Sequence, residues 1–305
     1  MARTWEELRD SYGSPLRYLN DNYLNAGSPV PTNIPALDEI LCGGLRPGMH
    51  VLGGEPGAGK SALGLFLSMT SAMAGANVFY ASLEMGAGQC WDRCASCMSL
   101  TTGKPFRWGD TWALGAKARE RQADALRHGR VHEFVSHDLM EQDPVGMAVS
   151  AIMERCPGLL IADSDTLHSI EGIEAAAAQA APSGLSMLVV DYLQYVDAGD
   201  AASEYERVCA VSKRLNRLGV SLGIPVLALA SMSRPVAKQG APSMHSYKGS
   251  GDVEYNALSA WVIERDPEDA GVRRLHVVKN RFGTVTGDAP VLLRFDGAHC
   301  SFELV

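Results

Sequence analysis

Residues Gly54-Glu55-Pro56-Gly57-Ala58-Gly59-Lys60-Ser61 follow the pattern G-x-x-x-x-G-K-S. Glycines let such a backbone curl until several N–H groups point at one anion. The lysine then reaches the outer phosphates of a nucleotide, and the hydroxyl serves a Mg²⁺ ion. The chemistry implied is capture of ATP with Mg²⁺, with Gly54 to Ser61 as the cradle. The flanks agree. Met49-His50-Val51-Leu52-Gly53 reads as a short buried strand, and Ala62-Leu63-Gly64-Leu65-Phe66-Leu67 opens a helix whose N-terminus faces the phosphates.

A phosphate loop works with further acids. Leu188-Val189-Val190-Asp191 is an apolar run ending in a carboxylate. Strand ends in parallel sheets open onto the ligand crevice. Asp191 is therefore the candidate acid that, with Ser61, holds the metal; the bland alternative is an aspartate that caps a strand. Hydrolysis also needs a group to orient the attacking water. Ala81-Ser82-Leu83-Glu84-Met85 places Glu84 at the end of the strand after the phosphate-loop helix, where a carboxylate can polarise water in line with the γ-phosphate. On chemistry alone, Glu84 is either that base or a surface glutamate.

The elements that must position these residues alternate. The pattern predicts strands over 48–53, 77–82, 131–136, 158–162, 186–191, 224–230, 259–264, 273–279 and 290–296. It predicts helices over 60–74, 87–100, 112–128, 144–155, 167–180 and 202–222. Strands alternating with helices imply an α/β fold, a mostly parallel twisted sheet flanked by helices. The late strands have few helices between them and imply antiparallel strands at the C-terminal edge. Residues 1–30 are polar, with a weak stripe of Trp5, Leu8, Leu16, Tyr18 and Leu19, and Pro29, Pro31 and Pro35 mark a boundary. They read as an arm or linker that docks on the main body or a neighbouring subunit, or as a frayed terminus. Residues 31–305 read as one domain.

With these elements in place, a family resemblance follows. Pro31-Thr32-Asn33-Ile34-Pro35-Ala36-Leu37-Asp38 and Gly43-Gly44-Leu45-Arg46-Pro47-Gly48 resemble the entry to the ATPase domain of DnaB-type replicative helicases, within the RecA-like P-loop NTPases. Ser82-Leu83-Glu84-Met85 is similar to that family's S-L-E-M element, whose glutamate is the catalytic base. Asp191-Tyr192-Leu193-Gln194 is similar to its D-Y-L-Q Walker B segment. Lys248 to Asn256, with Ser250, Gly251 and Glu254, resembles its R-x-S-G-x-x-E element. Lys279-Asn280-Arg281-Phe282-Gly283 resembles its K-x-R-x-G element, which supplies a basic finger to the ATP of the adjacent subunit. The resemblance implies a homo-oligomer, hexamer or filament, with nucleotide at subunit interfaces. It makes Lys60, Glu84, Asp191, Lys279 and Arg281 the catalytic set. Lys279 and Arg281 also stand two apart on a predicted strand, so both cations can share one face.

Residues 232–250 carry Arg234, Lys238 and Lys248 without Asp or Glu, among Pro235, Gly240, Pro242 and Gly249. This is loop chemistry. The resemblance places it at a central channel holding single-stranded DNA, and a cationic loop suits phosphate tracking; the bland reading is a solvated surface loop. Two departures stand out. Ser231 occupies the position of the family's γ-phosphate-sensing glutamine, and thirty residues do not replace the family's N-terminal domain, so primase binding is not implied. The expected function is an ATP-hydrolysing helicase core in replication or repair. The alternative is a RecA- or KaiC-like ATPase that binds DNA or a protein partner without unwinding.

Composition narrows the field further. The formal charge, 27 − 35 = −8, does not favour non-specific nucleic-acid binding over the whole surface. No apolar run is long enough to span a membrane, and the first residues lack a signal peptide's apolar core, so a cytoplasmic location without membrane partners is expected. Seven cysteines suggest reduced thiols. Cys90, Cys94 and Cys97 have the spacing of an iron–sulfur site, but with Ala87, Trp91 and Met98 they fall on one helical face, which favours packing. His50 and His276 lie in apolar strands and read as core or rim residues, not ligands.

Overall fold

Side chains alternate across a strand, so the central one must satisfy two apolar layers at once. Met49 and Val51 belong to one buried cluster and Leu52 to the other. In the computed structural model, which describes residues 3–4, 7, 29–199, 203–232, 253 and 256–305, this strand is β1 (Gly48–Gly54), buried along its whole length. It pairs in parallel with β5 (Pro225–Ser231) on one side and β6 (Ser259–Arg265) on the other. Beyond β5 lie β4 (Leu185–Asp191), β2 (Asn77–Ser82) and β3 (Leu159–Asp163), all parallel. Beyond β6 lie β7 (Val272–Asn280), β8 (Val291–Asp296) and β9 (Ser301–Leu304), all antiparallel. The nine-stranded order is β3-β2-β4-β5-β1-β6-β7-β8-β9.

The helices are α1 (Pro35–Ile40), α2 (Lys60–Met73), α3 (Ala87–Ser99), α4 (Thr111–Arg127), α5 (Pro144–Arg155), α6 (Ile170–Ala180) and α7 (Glu204–Leu222). Their starts follow from local chemistry. Asp143 caps α5 through the N–H groups of Val145 and Gly146, ahead of Pro144. Ser203 caps α7 through the Glu206 N–H, and Gly223 ends that helix in the left-handed region. One apolar layer holds α2 and α3 with Leu63, Leu65, Cys90 and Cys94; the other holds α6 and α7 with Ile170, Ile173, Val211 and Leu215.

The expected α/β architecture with an antiparallel C-terminal edge is present, and three local readings change. Residues 131–136, expected as a strand, are helical: a turn over Val131–Glu133 runs into a π-helix over Phe134–Gln142. A half-buried strand there would need Val131 and Val135 inside, yet both are exposed and only Phe134 is buried. The Phe134 N–H instead donates to Arg130 O four residues back, closing a helical turn just after α4. Residues 301–304 and 35–40 form a strand and a helix that the periodicity did not signal. β7 stops at Asn280, whose amide donates to the carbonyls of Ile40 and Thr284, so Arg281 stands just past the strand. Most of the expected N-terminal arm lies outside the described residues.

Candidate active site

β1 ends at Gly54, and the chain turns through Glu55 to Gly59 before α2 begins at Lys60. Gly59 makes that turn with φ of 105°, a conformation open to glycine and strained for other residues. Lys60 Nζ donates to the carbonyls of Gly54 (2.9 Å) and Glu55 (3.1 Å), so the lysine is folded over its own loop. Burial lowers its pKa, while the negative charges of Asp191, Glu84 and Glu55 oppose that shift. The loop forms one wall of a cleft of about 600 Å³, with Glu84, Met85, Tyr192 and Ser231 among the other lining residues.

Asp191 comes from β4, the second strand across the sheet from β1. It is completely buried. Its Oδ2 accepts a hydrogen bond from the Tyr80 hydroxyl at 2.7 Å, and its Oδ1 is buried with no partner among the described residues. Burial raises the Asp191 pKa; the Tyr80 hydrogen bond and the nearby Ser61 hydroxyl lower it, Glu84 raises it and Lys60 lowers it. The Tyr80 hydroxyl is in turn held far above its usual pKa, chiefly by burial and then by the Asp191 charge. An unpaired carboxylate oxygen is costly in such a setting. Beside the Ser61 hydroxyl, at the start of a helix, it offers a hard oxygen donor set of the kind a nucleotide-bound Mg²⁺ uses. Residues and chemistry therefore fit that ion.

Glu84 follows β2 and opens into the cleft as an exposed carboxylate. Sheet order explains the convergence: β2 and β4 are neighbours in register, Ser82 opposite Asp191, so their tips emerge side by side. Lys279 and Arg281 do not join them. Lys279 pairs with Ala260 and Asn280 with Ser259, which sit beside Val51 and His50 of β1. Lys279 is thus level with the middle of β1, about 10 Å along the strand from Gly54, and Asn280 about 13 Å, with Arg281 past it, at ~3.3 Å per residue. Arg234, Lys238 and Lys248 lie outside the described residues, as do Ser250, Gly251 and Glu254.

Ser231 lines the cleft at the end of β5. Gln194 holds its backbone from both sides, with Nε2 donating to Ser231 O (3.1 Å) and Oε1 accepting from Ser231 N–H (3.2 Å). Other residues that sequence reasoning passed over are Tyr80, Arg93, Trp108 and Phe295. The last three line the cleft, with the Arg93 guanidinium 4.6 Å from the Trp108 ring centroid. Trp108 arrives from a segment between helices, and Phe295 from the far antiparallel edge; no local spacing connects them. For Tyr80 a signal existed: a hydroxyl-bearing ring inside a buried strand needs a polar partner. The cysteines of α3 pack as expected, with Cys90 and Cys94 inside the core and Cys97 half-buried.

Comparison with known proteins adds a second line. Residues 29–303 match the family model described as the DnaB-like helicase C terminal domain. Among curated relatives, the replicative DNA helicase DnaB of Geobacillus stearothermophilus is 26% identical over 276 residues, covering 84% of this chain and 53% of that protein. The replicative DNA helicase DnaB of Leifsonia xyli is 27% identical over 285 residues, covering 90% and 55%. The chain thus spans about half the length of the curated relatives it matches. Among solved structures, one ATPase domain superposes with a TM-score of 0.73 at 20% identity, over 97% of this chain and 98% of that one. A DnaB-like replicative helicase, solved in a study of its interactions with primase, gives the same score and identity over 97% and 69%. These two share the RecA-like α/β fold. Among the described residues no helix is long and apolar enough to cross a membrane. With nearly its whole length covered by one family model, the chain belongs to the DnaB-like helicase C-terminal domain family.

Proposed function

We propose that residues 31–305 form an ATPase domain that hydrolyses ATP and works as the core of a DnaB-like helicase on single-stranded DNA. The observation that carries this reading is the buried, unpaired Asp191 Oδ1 beside the hydroxyl of Ser61, which lines one cleft with Lys60 and Glu84. Gly54 to Ser61 cradle the phosphates. Lys60 leaves its loop carbonyls for the outer phosphates. Ser61 and Asp191 are the residues that would hold Mg²⁺, which when bound supplies neutralising charge at the β- and γ-phosphate oxygens. Glu84 accepts a proton from the attacking water and orients it in line. Arg93 and Trp108 give the cleft flat faces suited to a nucleobase. Arg281 and Lys279 serve a neighbouring copy's nucleotide. Arg234, Lys238 and Lys248 contact the DNA backbone.

Turnover should fall about 10²-fold or more in Glu84→Gln, with nucleotide affinity retained. Lys60→Ala should lose turnover and nucleotide affinity together. ATPase assays beside calorimetric binding separate the two; a Glu84→Gln protein that turns over at the wild-type rate removes Glu84 as the base. Strand displacement on a forked duplex, with ATPase measured with and without single-stranded DNA, tests the larger reading. Stimulation with displacement is expected. Stimulation alone selects an ATPase that binds DNA without unwinding, and neither selects a protein-directed ATPase.

A further inference from the structure

Arg265 on β6 and Arg273 on β7 are direct cross-strand partners. Like charges so placed repel each other. The local acids do not relieve them, because Asp266 pairs with Arg274 and Asp269 with Arg294. Neither Arg265 nor Arg273 is in an ion pair among the described residues. Arg273 is nevertheless only 6% exposed. A buried cation without a carboxylate is expensive, so it needs another purpose.

Both guanidinium groups are spent on the back of the phosphate loop. Arg273 Nε donates to Ala58 O at 2.9 Å, and Arg265 Nη2 to Gly57 O at 3.1 Å. The remaining contacts of Arg273 fix its plane: Nη1 donates to the carbonyls of Ala270 (2.8 Å) and Val272 (2.9 Å), and its guanidinium carbon sits 4.7 Å from the Phe295 ring centroid. Phe295 stacks on Phe302, and both rings lie against the loop at Gly59, 3.7 and 3.8 Å from where a Cβ would stand. The loop therefore rests on a platform supplied by the antiparallel edge.

A trans peptide is planar, so its C=O and N–H point in opposite directions. Pulling the Gly57 and Ala58 carbonyls outward turns the Ala58 and Gly59 N–H groups inward. In this state the Ala58 N–H already points across the loop to Glu55 O. We infer that Arg273 and Arg265 are positioning residues that brace the phosphate loop from behind, pre-setting its N–H groups for a nucleoside triphosphate that neither arginine touches. This rests on the proposed reading of the loop as an ATP site. The brace acts on binding, since the loop's shape is set before any bond breaks.

The test measures ATP·Mg²⁺ affinity by calorimetry, and kcat and KM by ATPase assay, on the full chain and on Arg273→Met, Arg273→Lys and Arg265→Gln. Arg273→Met should weaken binding about tenfold, with the loss carried by KM and not by kcat. Arg273→Lys keeps the charge but not the fork and should recover less than half of that loss. Arg265→Gln, at an exposed site, should weaken binding about threefold. Unchanged affinity in Arg273→Met and Arg265→Gln overturns the brace, as does full recovery by Arg273→Lys, which would leave only a distant charge effect. A loss confined to kcat overturns it too. If Arg273→Met does not fold, Arg265→Gln decides alone. Wild-type protein that binds no ATP, or that binds it as Lys60→Ala does, removes the ATP site and the brace with it; wild-type binding with indifferent arginine variants removes the brace only.

Discussion

Single buried polar groups here are held by pairs of neighbours, and their protonation follows from those neighbours. Asp191 has one hydrogen-bond donor in Tyr80 and a raised pKa, so its carboxylate is less favoured than in water until a cation or water meets Oδ1. His50 shows the opposite side of the same rule. Nδ1 lies 2.7 Å from Ser259 Oγ and Nε2 2.8 Å from Arg46 O, and burial pushes its pKa down to about 4. The Ser259 oxygen also accepts from Trp261 Nε1 at 2.9 Å. An unfolded histidine binds its proton near pH 6.5, so between about 4 and 6.5 the unfolded chain holds more protons than the folded one. Stability should therefore fall as pH drops from 7 towards 4, by up to about 3 kcal/mol from this residue. Denaturant midpoints measured at pH 7 and pH 5 should differ, and His50→Gln should shrink the difference; an equal difference in both proteins assigns the acid sensitivity elsewhere. At this scale the sequence announced what is contiguous. Gly54 to Ser61, Glu84 and Asp191 could be read because loop and strand-tip chemistry is local. Tyr80, Trp108, Phe295 and Arg273 could not, because only the strand order brings them to the loop. Arg273 left one trace: a charge amid the buried side chains of Val272, Leu275 and Val277.

Elements are placed by what they must bury and by how closely their backbones meet. The parallel half of the sheet was legible because its strands are continuous apolar runs between helical periods. The helical hairpin of α4 and the π-helix was misread in part, since a stretch with one buried side chain carries no periodic signal. Short β9 likewise shows no pattern of its own and exists because β8 offers it an edge, with Phe302 opposite Phe295. Gly146 shows how contact overrides propensity. It lies in the first turn of α5, where alanine ordinarily improves a helix by up to about 1 kcal/mol. A Cβ there would collide with the Leu139 carbonyl of the π-helix, which is backbone and cannot swing aside. Gly146→Ala should therefore destabilise the protein, by about 1–3 kcal/mol, and loosen the π-helix. Thermal melting and hydrogen exchange over residues 134–142 check this; a raised melting temperature would mean that the two helices are free to move apart.

At the scale of the whole molecule, the sheet keeps two groups of charged residues apart. The Gly54–Ser61 loop, Glu84 and Asp191 stand at the C-terminal ends of parallel strands. Lys279 stands level with Val51 at the middle of β1, and Arg281 lies past the level of His50. With about 10 Å of strand between Lys279 and the level of Gly54, more than about 13 Å for Arg281, and β6 in between, neither cation lines the cleft of its own chain. If they stabilise phosphoryl transfer, they do so from a second copy, with one chain's loop facing the next chain's strand end in a head-to-tail contact. That geometry makes a mixing experiment decisive. Arg281→Ala keeps an intact loop and lacks the finger; Lys60→Ala lacks the loop's cation and keeps the finger. Each alone should be nearly inactive. Random assembly of equal amounts places an intact loop beside an intact finger at about a quarter of interfaces, so turnover should return to about a quarter of the wild-type value. Activity that stays at the sum of the two inactive proteins, in a mixture shown by light scattering to assemble, would mean that Arg281 does not act across the interface.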